Sequence, residues 1–246
     1  MALLQCNIRS AVLGMDVAFC AIVPERQSEH IRTIYLLHGL NEDCTGWCRY
    51  SSIERYARDM GIAVIMPGAQ KSFYTDMAYG DAYFTFITNE LVTLTRNLFH
   101  LSHRREDTFV GGLSMGGYGA YKMALTKPEQ YGGAAALSGA LDVGMLSAMP
   151  EAQPLRKLIL GDVTDARGTE HDLMHLASDL AKSGRVKPRL YQACGTEDFL
   201  YGANTAFRIA IAEKGFDHRY EEGPGEHSWS FWDMYIQKAL AFLLEE

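Results

Sequence analysis

Prolines are scarce, seven in 246 residues, and no Gly/Ser linker, low-complexity tract or internal repeat interrupts the chain. That excludes collagen-like and disordered classes and predicts one domain over residues 1–246. Five cysteines, an odd number without framework spacing, exclude a disulfide scaffold and fit reduced thiols. No apolar run approaches the about 18 residues of a membrane span. The opening segment, MALLQCNIRSAVLGMDV, is broken by Arg9 and Asp16 and does not read as a secretion signal. A cytoplasmic chain is therefore expected. Basic clusters are missing as well, none being longer than Arg104-Arg105, and 23 Lys and Arg against 30 Asp and Glu leave a net charge of −7. A nucleic-acid face is excluded on that ground.

What is present is alternation. Apolar runs at 34–37, 62–66, 108–110, 134–137 and 190–193 are too continuous to face water on one side, the pattern of a parallel sheet covered on both faces. Helical patterns lie between them at 48–60, 81–99, 115–126, 202–214 and 231–244. The last keeps Trp232, Ile236, Ala239, Leu240 and Leu243 on one face, and Ser230 with Asp233 predicts a capping box. Strand and helix repeated in turn predict an α/β fold. Segments 3–8 and 17–23 read as an antiparallel pair at a sheet edge. The irregular stretch 141–188, with a helix near 172–181, reads as an insertion roofing a site.

The sharpest chemical signal is Gly112-Leu113-Ser114-Met115-Gly116, directly after a short strand and directly before a helix. A serine on so tight a turn sits in strained backbone, and the residues two before and two after must be small. A serine hydroxyl is a weak nucleophile at neutral pH, so it needs a base, and the base needs an orienting acid. Four histidines follow Ser114: His171, His175, His218 and His227. His218 reads as an ordinary residue of an edge strand. His227 lies in the turn-rich Gly223–His227 loop before the last helix and is the expected base. For the acid, Glu197 and Asp198 compete after the 190–193 run; Asp198 is preferred because its shorter side chain projects from the turn. Oxyanion stabilisation calls for backbone N–H groups after the nucleophile and after the strand preceding the first helix. Those belong to Met115 and Leu40, with Gly39 turning the chain inward.

Other signals are weaker. Tyr79 and Trp229, with Gly39, are candidate pocket residues. His171 and His175 stand at i, i+4 without an adjacent glutamate or an evident third ligand, so no metal site is expected, nor any cofactor. Cys44, Cys48 and Cys194 read as buried or partly buried thiols.

These motifs have a family resemblance. Tyr35-Leu36-Leu37-His38-Gly39-Leu40, Phe73-Tyr74-Thr75-Asp76, the block from Gly112 to Ala120, Leu137-Ser138-Gly139-Ala140, Gly195-Thr196-Glu197-Asp198 and Glu226-His227-Ser228-Trp229 together resemble the esterase D group of α/β hydrolases, and within it the tributyrin-esterase branch. The resemblance implies an α/β-hydrolase fold, a mostly parallel sheet with helices on both faces and a small cap insertion. It further implies a serine carboxylesterase for short-chain acyl esters, with Ser114, Asp198 and His227 matching the triad. S-formylglutathione hydrolases are similar through Cys44-Thr45 but place Gly-His where this chain has Gly112-Leu113. Feruloyl and acetyl-xylan esterases and mycolyl transferases are related more distantly. The expected partner is a small-molecule ester; an apolar roof or edge strand also leaves room for a homo-oligomer. A catalytically inactive hydrolase-fold binding protein is the rival reading from another class.

Overall fold

The computed structural model describes residues 1–25, 31–148 and 150–245. Strands β1 (Ala2–Arg9), β2 (Asp16–Val23), β3 (Thr33–Leu37), β4 (Ala63–Pro67), β5 (Thr108–Leu113), β6 (Gly133–Leu137), β7 (Arg189–Gly195) and β8 (His218–Gly223) form one sheet. Its order is β1-β2-β4-β3-β5-β6-β7-β8. The first pair runs antiparallel, as does β2 with β4, and every later pairing is parallel. The expected antiparallel edge pair is thus present, in register from Ala2 opposite Val23 to Arg9 opposite Asp16.

Strands β3 to β6 are buried along their whole length, which is why their sequences run apolar without alternation. Successive side chains point to opposite faces. Tyr35, Leu37, Ile65 and Val110 pack into one core layer, while Ile34, Leu36, Val64 and Phe109 pack into the other.

The helices are α1 (Gly46–Tyr50), α2 (Ile53–Met60), α3 (Tyr83–Thr85), α4 (Val92–Phe99), α5 (Met115–Thr126), α6 (Met145–Ala148), α7 (Gln153–Leu160), α8 (Leu173–Lys182), α9 (Tyr201–Ala212) and α10 (Trp229–Leu244). The mostly parallel α/β architecture agrees with the sequence expectation, and the differences are local. The helix expected over 48–60 breaks into α1 and α2, because Ser51 Oγ turns back to the Trp47 carbonyl at 2.5 Å and the Ser52 N–H donates to Asp233 at 2.8 Å. That second bond also removes the expected capping box: Asp233 accepts from Ser52 and from the Tyr56 hydroxyl, and α10 begins at Trp229. The 81–99 helix is interrupted by a π-helical stretch, Phe86–Leu91, between α3 and α4. Segment 141–188 divides: α6 and α7 lie over the carboxyl ends of the strands, whereas α8 packs against α5 on the flank. His171 precedes α8 rather than sharing a face with His175, and its ring faces Lys122 Nζ at 3.3 Å.

Candidate active site

Ser114 stands between β5 and α5 with φ 53° and ψ −118°. A left-handed conformation in a non-glycine residue costs about 1–2 kcal/mol. Hydrogen bonds offset it: the Ser114 N–H donates to the Leu137 carbonyl at 2.9 Å, and its own carbonyl accepts from Gly117 and Ala140, each at 3.0 Å. The flanking glycines are obligatory. A Cβ on Gly112 would lie 2.5 Å from the Gly116 carbonyl, and one on Gly116 would lie 2.5 Å from the Leu37 carbonyl. The turn therefore presses directly on the end of β3, where Leu40 emerges.

Asp198 follows β7, its side chain fully withdrawn from solvent. Both carboxylate oxygens meet His227 Nδ1, at 2.9 and 3.1 Å, and Oδ1 accepts from the Leu200 N–H at 2.8 Å. Burial alone would raise this carboxyl, but hydrogen bonds from His227, Leu200 and Ser138 outweigh it and hold the group below the usual carboxylate range. An ionised acid fixes the tautomer with the proton on Nδ1, leaving Nε2 free to accept. Phe199 and Trp232 hold the imidazole between them, at ring distances of 4.6 and 4.9 Å. Among the described residues the Ser114 hydroxyl takes no hydrogen bond, so its link to His227 is open; such links commonly tighten only around substrate.

Glu197, the rival acid, has a different task. Its carboxylate accepts the Gly225 N–H and its amide donates to the Gly225 carbonyl at 3.1 Å. The first of those bonds, then Thr196, draws its pKa down. It straps the acid loop to the histidine loop, and a Cβ on Gly195 would sit 2.0 Å from the Gly225 oxygen.

The Leu40 side is held by residues that the sequence reading passed over. His38 is buried; Nδ1 donates to the Gly39 carbonyl at 2.7 Å and Nε2 accepts from the Ala69 N–H at 3.0 Å. Burial pushes its pKa down, consistent with a neutral ring using both nitrogens. The buried Tyr74 hydroxyl donates to the His38 carbonyl at 3.0 Å. Glu42 takes the Gly39 N–H at 2.9 Å and the Trp229 indole N–H at 2.8 Å. None of these contacts uses the N–H of Leu40 or of Met115. A histidine at a strand end followed by glycine was the available signal for His38; Glu42 left none.

A cavity of about 370 Å³ opens over Ser114, walled by Leu40, Phe73, Met115, Leu146, Leu155 and Phe199 among others. A second, of about 740 Å³, adjoins it through Leu40, Lys71 and Leu155 and is bordered by Tyr79 and Gly80. Tyr79 is half-exposed and donates to Asp162 at 3.1 Å. Trp229 packs edge-on to Trp47 at 5.0 Å and lies outside both walls, as does Gly39. Burial pushes the Cys44 and Cys48 thiols up to about 12 and 11, so neither is a nucleophile at neutral pH. Among the described residues no group of three His, Cys, Asp or Glu could hold a metal ion, and no helix is long and apolar enough to cross a membrane.

Fold and site together define a serine hydrolase acting on carboxylic esters, built on the α/β-hydrolase fold. Residues 10–243 match the model of the Esterase family, described as "Putative esterase", and the chain belongs to that family. It is 32% identical to an acetyl esterase of Caldicellulosiruptor saccharolyticus over 99% of this chain and 98% of that one. Among solved structures it is similar to the substrate-bound fluorophosphonate-binding serine hydrolase F of Staphylococcus aureus, with a TM-score of 0.94 and 34% identity over 100% of this chain and 99% of the other. An S-formylglutathione hydrolase of the same organism gives 0.91 and 34% over 99% of each.

Proposed function

We propose that the chain hydrolyses short-chain acyl esters of the acetyl and tributyrin type through a Ser114–His227–Asp198 triad. The observations that carry this reading are the His227 Nδ1–H shared by both Asp198 oxygens and a strained Ser114 that walls one cavity with Phe199, the ring packed on His227; among the described residues the following amide, at Met115, donates to no other group. Ser114 Oγ attacks the ester carbonyl as His227 Nε2 takes its proton, and Asp198 steadies the imidazolium. The Leu40 and Met115 N–H groups stabilise the oxyanion, and losing one such donor costs about two to three decades in turnover. His227 then protonates the leaving alcohol, and water activated by the same imidazole releases the acid. The apolar 370 Å³ cavity suits a small acyl group. The larger one, with Lys71 and Tyr79 on its border, suits the alcohol half. Gly39 and Trp229 contribute through Glu42, which ties both to the Leu40 loop.

Two measurements test it. A fluorophosphonate probe should label Ser114 stoichiometrically. Ser114→Ala should keep the fold and lose roughly four to six decades of p-nitrophenyl acetate turnover; wild-type rates in that variant end the proposal. The similarity to the staphylococcal S-formylglutathione hydrolase favours a thioester as second reading. S-formylglutathione run beside acyl esters of graded length separates the two by kcat/KM.

A further inference from the structure

One buried basic pair lies outside the triad. Lys122, on α5, and His171, ahead of α8, are both buried, and Lys122 Nζ stands 3.3 Å from His171 Nδ1. A lysine ammonium can only donate, so Nδ1 is the acceptor and His171 carries its proton on Nε2. The two bases share one hydrogen bond while His171 is neutral; a second proton would set two buried cations side by side. The anions nearby are distant or committed. Glu170 is exposed and reaches Nε2 at 3.9 Å. Asp76 holds the Thr85 N–H and hydroxyl at 2.8 and 2.6 Å, and Asp172 takes the Gly168 and Met174 N–H groups, each at 2.9 Å. On α8, His175 pairs with Asp179 at 3.2 Å. Lys127, which shares the Phe84 ring with Lys122, donates to Asn89. Burial, and after it Lys122, pushes the His171 pKa down to about 4, while burial pulls Lys122 down to about 8.

The pair sits where the roof is moored. The His171 carbonyl accepts from the Tyr118 hydroxyl at 2.9 Å, so residue 171 meets α5 twice, through its backbone and through its ring. Tyr118 stands one turn after Ser114 and packs edge-on to Phe73 at 5.8 Å, and Phe73 walls the cavity over Ser114. Upstream, the chain runs back through the buried Ala166 to α7, whose Leu155 walls the same cavity with Leu146 of α6. The other mooring of α7 runs from the Ala78 and Tyr79 N–H groups to the Ile159 and Leu158 carbonyls, at 3.1 and 2.9 Å; it uses backbone groups, which do not titrate. We propose that the Lys122–His171 pair is an acid-sensitive latch on the roof: neutral His171 fastens the segment after α7 to α5, and a proton on it repels Lys122 and lets the roof loosen. His171 is thus a positioning residue, acting on the acyl group through α6, α7 and Phe73; its effect on turnover rests on the esterase reading above. The sign follows from linkage. A histidine that protonates near its ordinary 6.5 in the unfolded chain, but only near 4 in the folded one, withdraws stability as pH falls through that interval.

His171→Asn tests the latch, because an asparagine oxygen can accept from Lys122 in place of Nδ1 but does not titrate. Between pH 7 and 5 the wild-type folding equilibrium constant, read by urea unfolding, should fall about tenfold or more beyond the fall in His171→Asn. Protonation of His227 slows all esters alike, so the activity readout is a ratio: kcat/KM for p-nitrophenyl butyrate over that for the acetate. In the wild type this ratio should drop about three- to tenfold over the same interval, through KM rather than kcat, as two methylenes lose their walls. In His171→Asn it should stay level. Lys122→Met removes the neighbouring cation and gives a second measure, its acid loss of stability lying between the other two. A wild-type ratio independent of pH overturns the latch, as does an asparagine variant that follows the wild type or a methionine variant as acid-labile as the wild type. The unfolding arm reads His171 without catalysis. Absent hydrolysis and absent fluorophosphonate labelling, with the stability difference intact, would therefore count against the triad alone, whereas labelled enzyme with no stability difference refutes the latch alone.

Discussion

The two ends of the parallel sheet carry cavities of opposite character. At the amino-terminal end, a space of about 740 Å³ is ringed by Arg32, Arg104, Arg105, Lys187 and Arg189. Its cations are spent: Arg32 donates to Leu244, Arg105 to Pro128 and Lys187, and Arg189 to Asp217 and Glu245. At the carboxyl end the cavity over Ser114 has half that volume, about 370 Å³, and its neighbour matches the 740 Å³ of the other end, yet the smaller one is walled by the strained Ser114, by Leu40 and Met115, whose amides donate to nothing among the described residues, and by Phe199, which packs on the His227 ring. Size does not mark the reactive end. Polar groups held in place without a partner do, since those are the groups a substrate can engage.

Exchanging a carboxylate at each end probes this contrast most severely. Asp198→Asn keeps the side chain's shape but presents the wrong tautomer to His227, and kcat/KM for p-nitrophenyl acetate should fall by roughly four decades. Asp217→Asn, which breaks the 2.9 Å pair with Arg189, should leave the rate within about twofold. Similar losses at both ends would dissolve the distinction. A smaller effect is expected where the open end is built rather than where it reacts. In Gly116→Ala the new Cβ meets the Leu37 and His38 carbonyls at 2.5 and 2.8 Å, so β3 and the Leu40 loop must retreat. We expect about 1–3 kcal/mol less stability in urea unfolding and labelling by fluorophosphonate at least tenfold slower; unchanged labelling would mean that the loop tolerates the shift.

The open end was also the more legible in sequence, because its demands are local. Gly112 and Gly116 flank Ser114 by steric necessity, and continuous apolar runs mark strands buried on both faces; β3 to β6 and α5 could be read from order and composition. The helix breaks could not. Ser51 and Ser52 depart from helix because Asp233, far along the chain, accepts the Ser52 N–H, and the same long-range bond takes Asp233 away from the capping position it appeared to fill. The structural task of Glu197, read from sequence only as a rival acid, and Glu42 altogether escaped for a related reason. Each acts through a backbone amide of another loop, at Gly225 and Gly39, and spacing carries no trace of which amide a folded chain will bring within reach. Trp229 was noticed for its place beside His227, but adjacency in sequence put its ring on Trp47 and Glu42 rather than over the serine.

The mildest exchange is at the closed end. Arg105 is half-buried, and its guanidinium spans the carbonyls of Pro128 and Lys187 at 2.6 and 2.8 Å, joining the loop after α5 to the start of β7. Arg105→Met keeps much of the stem and leaves both carbonyls to solvent, so stability should drop by about 1–2 kcal/mol. Turnover should stay within about twofold, because the strand ends that Arg105 steadies lie a full sheet length from Ser114. Burial pulls this guanidinium's pKa down, yet arginine remains charged throughout the working pH range, so the stability difference between variant and wild type should be flat from about pH 6 to 9. A large loss of turnover without loss of stability would mean that the two ends are coupled through the β5–β7 strands, and that the paired arginines do more than close off the sheet.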